Sequence, residues 1–103
     1  MTDLRYRLLG LAAGVLGSGI AAAGDVDHRQ ALELRRSGVI LPLETMLATV
    51  QDRYPESTVV EVELEQEARG FIYDIEIFNA AGELRELELD ARTGEILQDA
   101  LED

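Results

Sequence analysis

Two periodicities divide the chain. Leu43, Met46, Leu47, Val50 and Tyr54 recur at helical spacing, with Glu44, Thr45, Ala48, Gln51 and Asp52 mainly on the other side. This is the stripe of a helix that turns one face to a core. Pro42 opens it where a missing N–H is tolerated, and Pro55 stops it. From Thr58 the period drops to two. Val60, Val62 and Leu64 alternate with Glu61, Glu63 and Glu65, as on a strand with one buried face. After a turn at Arg69-Gly70, Phe71, Tyr73, Ile75 and Ile77 alternate with Ile72, Asp74, Glu76 and Phe78. Asn79 to Gly82 reads as a hairpin loop, and Leu87 and Leu89 then alternate with Glu86 and Glu88. Asp90 to Gly94 is a further turn before a short strand at Glu95-Ile96-Leu97, and from Gln98 the acidic end is expected to fray.

Ahead of the long helix, Asp25-Val26-Asp27 offers capping carboxylates for a short helix running from His28 to Arg36. Its apolar set is sparse: Val26, Ala31, Leu32 and Leu34. Arg35 and Arg36 suit the negative end of its dipole, and Ser37-Gly38 ends it. The order is therefore helix, helix, meander. The expected class is α+β, with N-terminal helices packed on one face of a four-stranded antiparallel β-meander. Strand parity assigns Val60, Val62, Leu64, Tyr73, Ile75, Ile77, Leu87 and Leu89 to the face under the helices. It gathers Glu61, Glu63, Glu65, Asp74, Glu76, Glu86 and Glu88 on the other, interspersed with Val59, Ile72, Phe78 and Leu84. Arg85 has the parity of the apolar face, near its edge.

The first residues read differently. Arg5 and Arg7 precede an uncharged run from Leu8 to Gly24 that is rich in Leu, Ala and Gly and contains Ala21-Ala22-Ala23. A short apolar run after a basic start, closing on small residues, is the pattern of a signal peptide. The expectation is a leader at residues 1–23, a domain at 24–98 and an acidic tail at 99–103, in a periplasmic or secreted protein. An uncleaved leader, the one route to a membrane, would instead anchor the domain facing the periplasm.

Charge narrows the function classes. Of 103 residues, 21 are acidic and 9 basic, all nine of them arginine, for a formal net charge of -12. Phosphate backbones would repel such a chain, so no nucleic-acid partner is expected. With no cysteine and one histidine, His28, thiolate chemistry and multi-histidine metal sites are excluded. Ser37 and Ser57 sit where helix ends and turns explain them. No catalytic residue, cofactor or dedicated metal site is expected, and the chain is read as a non-enzyme.

Asp27-His28, Ala31, Gly38 and Ile40-Leu41-Pro42-Leu43-Glu44, leading into an amphipathic helix, resemble small exported PepSY-domain proteins. So do Tyr73-Asp74-Ile75-Glu76-Ile77, Gly82, Leu87-Glu88-Leu89-Asp90 and the closing Thr93-Gly94-Glu95-Ile96-Leu97. The resemblance spans residues 27 to 97. PepSY domains also occur in propeptides of thermolysin-type secreted metalloproteases. The resemblance thus implies a non-catalytic module that binds and modulates an exported protease or a membrane sensor protein. The seven strand carboxylates are the expected partner-binding set, meeting a basic patch. The alternative is a periplasmic cation- or calcium-responsive protein acting through the same acidic face, with weak Ca²⁺ binding, although no EF-hand loop is present.

Overall fold

The computed structural model describes residues 24–102. They form strand β1 (Gly24–Asp25), helix α1 (His28–Arg36), helix α2 (Leu43–Arg53) and strands β2 (Thr58–Glu67), β3 (Gly70–Phe78), β4 (Leu84–Asp90) and β5 (Ile96–Leu101). The strands make one antiparallel sheet in the order β1-β2-β3-β4-β5. The class is α+β as expected, with five strands in place of four. The additional strand is β1, whose two residues pair with Gln66 and Glu65. A two-residue strand has no alternation to detect, and its Asp25 reads equally well as a helix cap. The expected leader at 1–23 lies outside the described residues.

Local chemistry sets both helix starts. Asp27 caps α1 by accepting from the Gln30 amide at 2.8 Å, and the Gln30 side chain reaches back to the Asp27 amide. This reciprocal pair satisfies two amides that have no helical partner. Pro42, at φ -64°, leads into α2 with no side-chain cap. At the other end of α1, the Ser37 hydroxyl donates to the carbonyls of Glu33 and Leu34.

The core lies between the helices and one sheet face. Met46 and Val50 from α2 and Ala31 from α1 pack with Leu64, Tyr73, Ile75, Ile77, Leu87 and Leu89. Leu43, Leu47, Tyr54 and Val62 pack half-buried around them. Leu32 departs from expectation: it is 44% exposed, while Ala31, Leu34 and Val26 of the same expected set pack with the core. The Arg35 guanidinium bridges α1 to the sheet by donating to the Tyr73 hydroxyl at 3.0 Å.

Register confirms most of the parity reading. Val62 opposes Ile75, which opposes Leu87, and Leu64 opposes Tyr73, which opposes Leu89. A bulge at Val60 shifts the parity of the first residues of β2: Val59 faces Ile77, and the next paired residue is Glu61, against Glu76. Val60, expected on the core face, is instead 48% exposed, and Val59 leaves the acidic face. An inserted residue resets alternation, and the adjacent valines are where strict alternation already fails. The C-terminal end also corrects an expectation. The segment from Gln98 to Leu101 does not fray but pairs with Glu88 through Arg85 of β4.

Two turns carry the residues that require them. The Asn79 side chain accepts from the amides of Ala81 and Glu83, and Gly82 sits at φ 81°. In the last turn the Asp90 side chain accepts from the Arg92 amide, the Asp90 carbonyl from the Gly94 amide, and Gly94 adopts φ 84°. Side chains other than glycine rarely adopt that conformation.

Candidate functional site

All seven expected residues fall on one sheet face, in rows across the strands. Glu61, Glu76 and Glu86 form one row, and Glu63, Asp74 and Glu88 form the next. Asp25, Glu65, Ile72 and Asp90 form a third. Side chains directly opposite on neighbouring strands lie within about 5 Å at their Cβ atoms, and like charges so placed oppose each other. A plain solvated surface would leave all seven open to water. Instead Glu65, Asp74 and Glu88 are 1%, 5% and 3% exposed, while Glu63, Glu76 and Glu86 are half-buried and Glu61 is exposed. Of the apolar residues expected among them, Ile72 is buried, Leu84 half-buried and Phe78 exposed.

Sequence reasoning missed a cation that reaches this face. Arg69, in the β2–β3 hairpin, bridges Glu88 at 2.6 Å and Glu67 at 2.9 Å. Its hydrogen bond to Glu88 holds the guanidinium pKa above the ordinary arginine value. The only sequence signal was its position in a tight hairpin, whose loop side chain can turn back over either face.

Carboxylate oxygens converge at two places. One oxygen from each of Asp25, Glu63 and Glu65 lies within 4.8 Å of the other two, and the same holds for Asp74, Glu86 and Glu88. Hard divalent cations take oxygen ligands at about 2.0–2.6 Å, so three oxygens at this mutual spacing are within reach of one ion. Among the described residues, these are the groups that could hold a metal; His28 is exposed in the first turn of α1 and joins neither.

A second polar cluster lies on the opposite face, at the edge of the core. Asp99 of β5 accepts from the Tyr54 hydroxyl at 2.6 Å, the Arg53 guanidinium at 2.8 Å and the Arg85 guanidinium at 2.9 Å. The Arg85 guanidinium also lies 5.5 Å from the Tyr54 ring centroid. Burial pushes the Asp99 carboxyl up, but the hydrogen bonds from Tyr54, Arg53 and Arg85 outweigh it and hold it below the ordinary carboxylate range. The Tyr54 phenol is raised, first by burial and then by its bond to Asp99. Arg85 was readable as sharing the apolar parity; Asp99 was hidden by the expectation of a frayed end.

The arrangement is a charged face backed by a packed core, with carboxylates held in register. Among the described residues, no helix is long and apolar enough to cross a membrane. No match was found among curated proteins or solved structures. The family model for PepSY, the "Peptidase propeptide and YPEB domain", matches residues 40–99, from the connector before α2 to the aspartate that anchors β5. That match covers more than half of the chain, so the chain belongs to the PepSY family.

Proposed function

We propose that this chain is an exported, non-catalytic PepSY module that binds and modulates an exported protease or a membrane sensor protein. The family supports a propeptide-like or regulatory role. The observation that carries the reading to a surface is the register that puts Glu61, Glu63, Glu65, Asp74, Glu76, Glu86 and Glu88 on one face. A basic patch on the partner would be complementary in charge to that face. The leader at residues 1–23 would deliver the domain to the compartment of its partner.

The test pairs crosslinking with identification of the captured protein. The wild-type chain should capture a peptidase or a sensor ectodomain from periplasmic extract. Reversing Glu63 and Glu76 to Lys should abolish that capture while leaving the circular dichroism spectrum intact. Undiminished capture by the reversed variant would remove the acidic face from the reading.

A second reading rests on the two carboxylate triads, whose spacing suits an oxygen-ligated cation. If Ca²⁺ binds there, the melting temperature rises with Ca²⁺ well beyond the effect of NaCl at equal ionic strength. An equal response to both salts would leave screening alone.

A further inference from the structure

The described residues cover the outer edge of β2 for only part of its length. Gly24 and Asp25 pair with Gln66 and Glu65, Val26 donates to the Leu64 carbonyl at 2.8 Å, and the chain then turns away into α1. Among the described residues, no strand pairs with the outer edge from Thr58 to Val62. Since the Leu64 carbonyl points outward, strand alternation directs the Val62 N–H and C=O outward as well. An open edge of this kind is a template for another extended chain.

A groove adjoins this edge on the core side. It has a volume of about 350 Å³, its floor includes Val62, Leu64 and Tyr73, and Ala31 and Leu43 wall it from the helices. Asp25, His28, Arg35 and Glu63 also line it, so its polar rim carries both signs of charge. On the other face of the same edge stands exposed Glu61. The two sides therefore ask for different side chains. Residues directed into the groove would be apolar, to pack on Val62, Leu64, Ala31 and Leu43. Residues directed to the acidic face would be basic. A second copy of this chain fits badly: antiparallel pairing of two β2 edges would set the glutamates of one copy against those of the other.

We infer that the open edge of β2 captures an extended segment of a partner protein by strand addition, with its apolar side chains in the groove and its arginines or lysines toward Glu61. This rests on the reading of the domain as a binding module and adds to it a docking mode and a partner sequence pattern.

The full chain, labelled with ¹⁵N, is titrated with a short synthetic peptide alternating arginine and valine. Amide shifts should centre on Val60–Val62 and on the groove residues Ala31 and Leu43. N-methylation of alternate peptide nitrogens leaves charge and side chains in place but removes ladder donors, and should weaken binding by about tenfold or more. Glutamate in place of arginine should abolish it. Val62→Pro should reduce peptide affinity similarly, because the lost N–H faces outward and leaves the β2–β3 ladder intact. Equal affinity for the N-methylated peptide would overturn strand addition, whatever the fate of the proline variant. Shifts confined to Asp74, Glu76, Glu86 and Glu88 would also overturn it, yet leave the acidic face standing as a docking surface. Concentration-dependent dimerisation that protects the Val60–Val62 amides from hydrogen exchange would assign the edge to a second copy and overturn it too.

Discussion

The two faces of the sheet are built by the same alternation but solve different problems. Ile75 and Ile72 show this on a single strand: both are buried, yet Ile75 lies in the cluster with Met46, Leu87 and Leu89, whereas Ile72 sits in a row with Asp25, Glu65 and Asp90. Carboxylates differ in the same way. Asp99, on the helix side, has three donors from two other elements, while the acidic rows oppose carboxylate to carboxylate across three strands. One face packs against the helices, and the other holds carboxylates in register across three strands.

The largest test truncates each isoleucine. Ile75→Ala removes fully buried methyl groups from the core and should cost near the upper end of the ~2–5 kcal/mol range for such changes. Ile72→Ala should fall near ~2 kcal/mol, because carboxylates flank it and water can enter the space left behind. Urea unfolding with an unchanged slope measures both. Equal losses would show that the acidic face contains a second core, and the contrast between faces would collapse. A domain of this size has only about 4–12 kcal/mol of stability in hand, so the Ile75 variant approaches unfolding.

Asp99 gives the next effect. Asp99→Ala leaves the part-buried Tyr54 hydroxyl without its acceptor and unfastens β5 from the end of α2, a loss of about 1–3 kcal/mol. The pH dependence has a definite sign. The folded-state pKa of Asp99 lies below its unfolded value, so its contribution is complete above that unfolded value, about 3.9. The contribution disappears as pH falls through the lower folded value. The stability gap between wild type and Asp99→Asn should therefore be constant at neutral pH and close in the acid limb, below about pH 4. A gap that persists at low pH would mean that packing, and not the charge on Asp99, fastens β5.

Sequence alone carried the face assignments a long way. The heptad-like run from Leu43 to Tyr54 and the alternations through Leu89 located the core, and register then placed all seven carboxylates together. What escaped were features whose cause is not periodic. Val60 is an insertion into a ladder, and only its partner strand reveals that. β1 is too short to show a pattern. Asp99 sits in a segment whose local composition predicts fraying, and distant donors, Arg85 fourteen residues away and Arg53 forty-six, decide its fate. Arg69 reaches Glu88 nineteen residues on, a contact set by hairpin geometry and side-chain length.

The smallest effect tests the acidic face directly. Glu61 is exposed, opposes Glu76 and shares its row with Glu86, so its charge adds repulsion without any core packing to offset it. Glu61→Gln keeps the size and removes the charge. It should stabilise the free domain by roughly 0.2–1 kcal/mol at low salt. Exposed charges are screened over about 8 Å at 0.15 M ionic strength, so the gain should shrink as NaCl is raised. The cluster at Asp99 responds oppositely, since screening weakens attraction there. Urea midpoints for wild type and both variants, taken across a salt series, separate the faces by sign. If Glu61→Gln destabilises the chain at every salt concentration, the row is held together by contacts stronger than its repulsion.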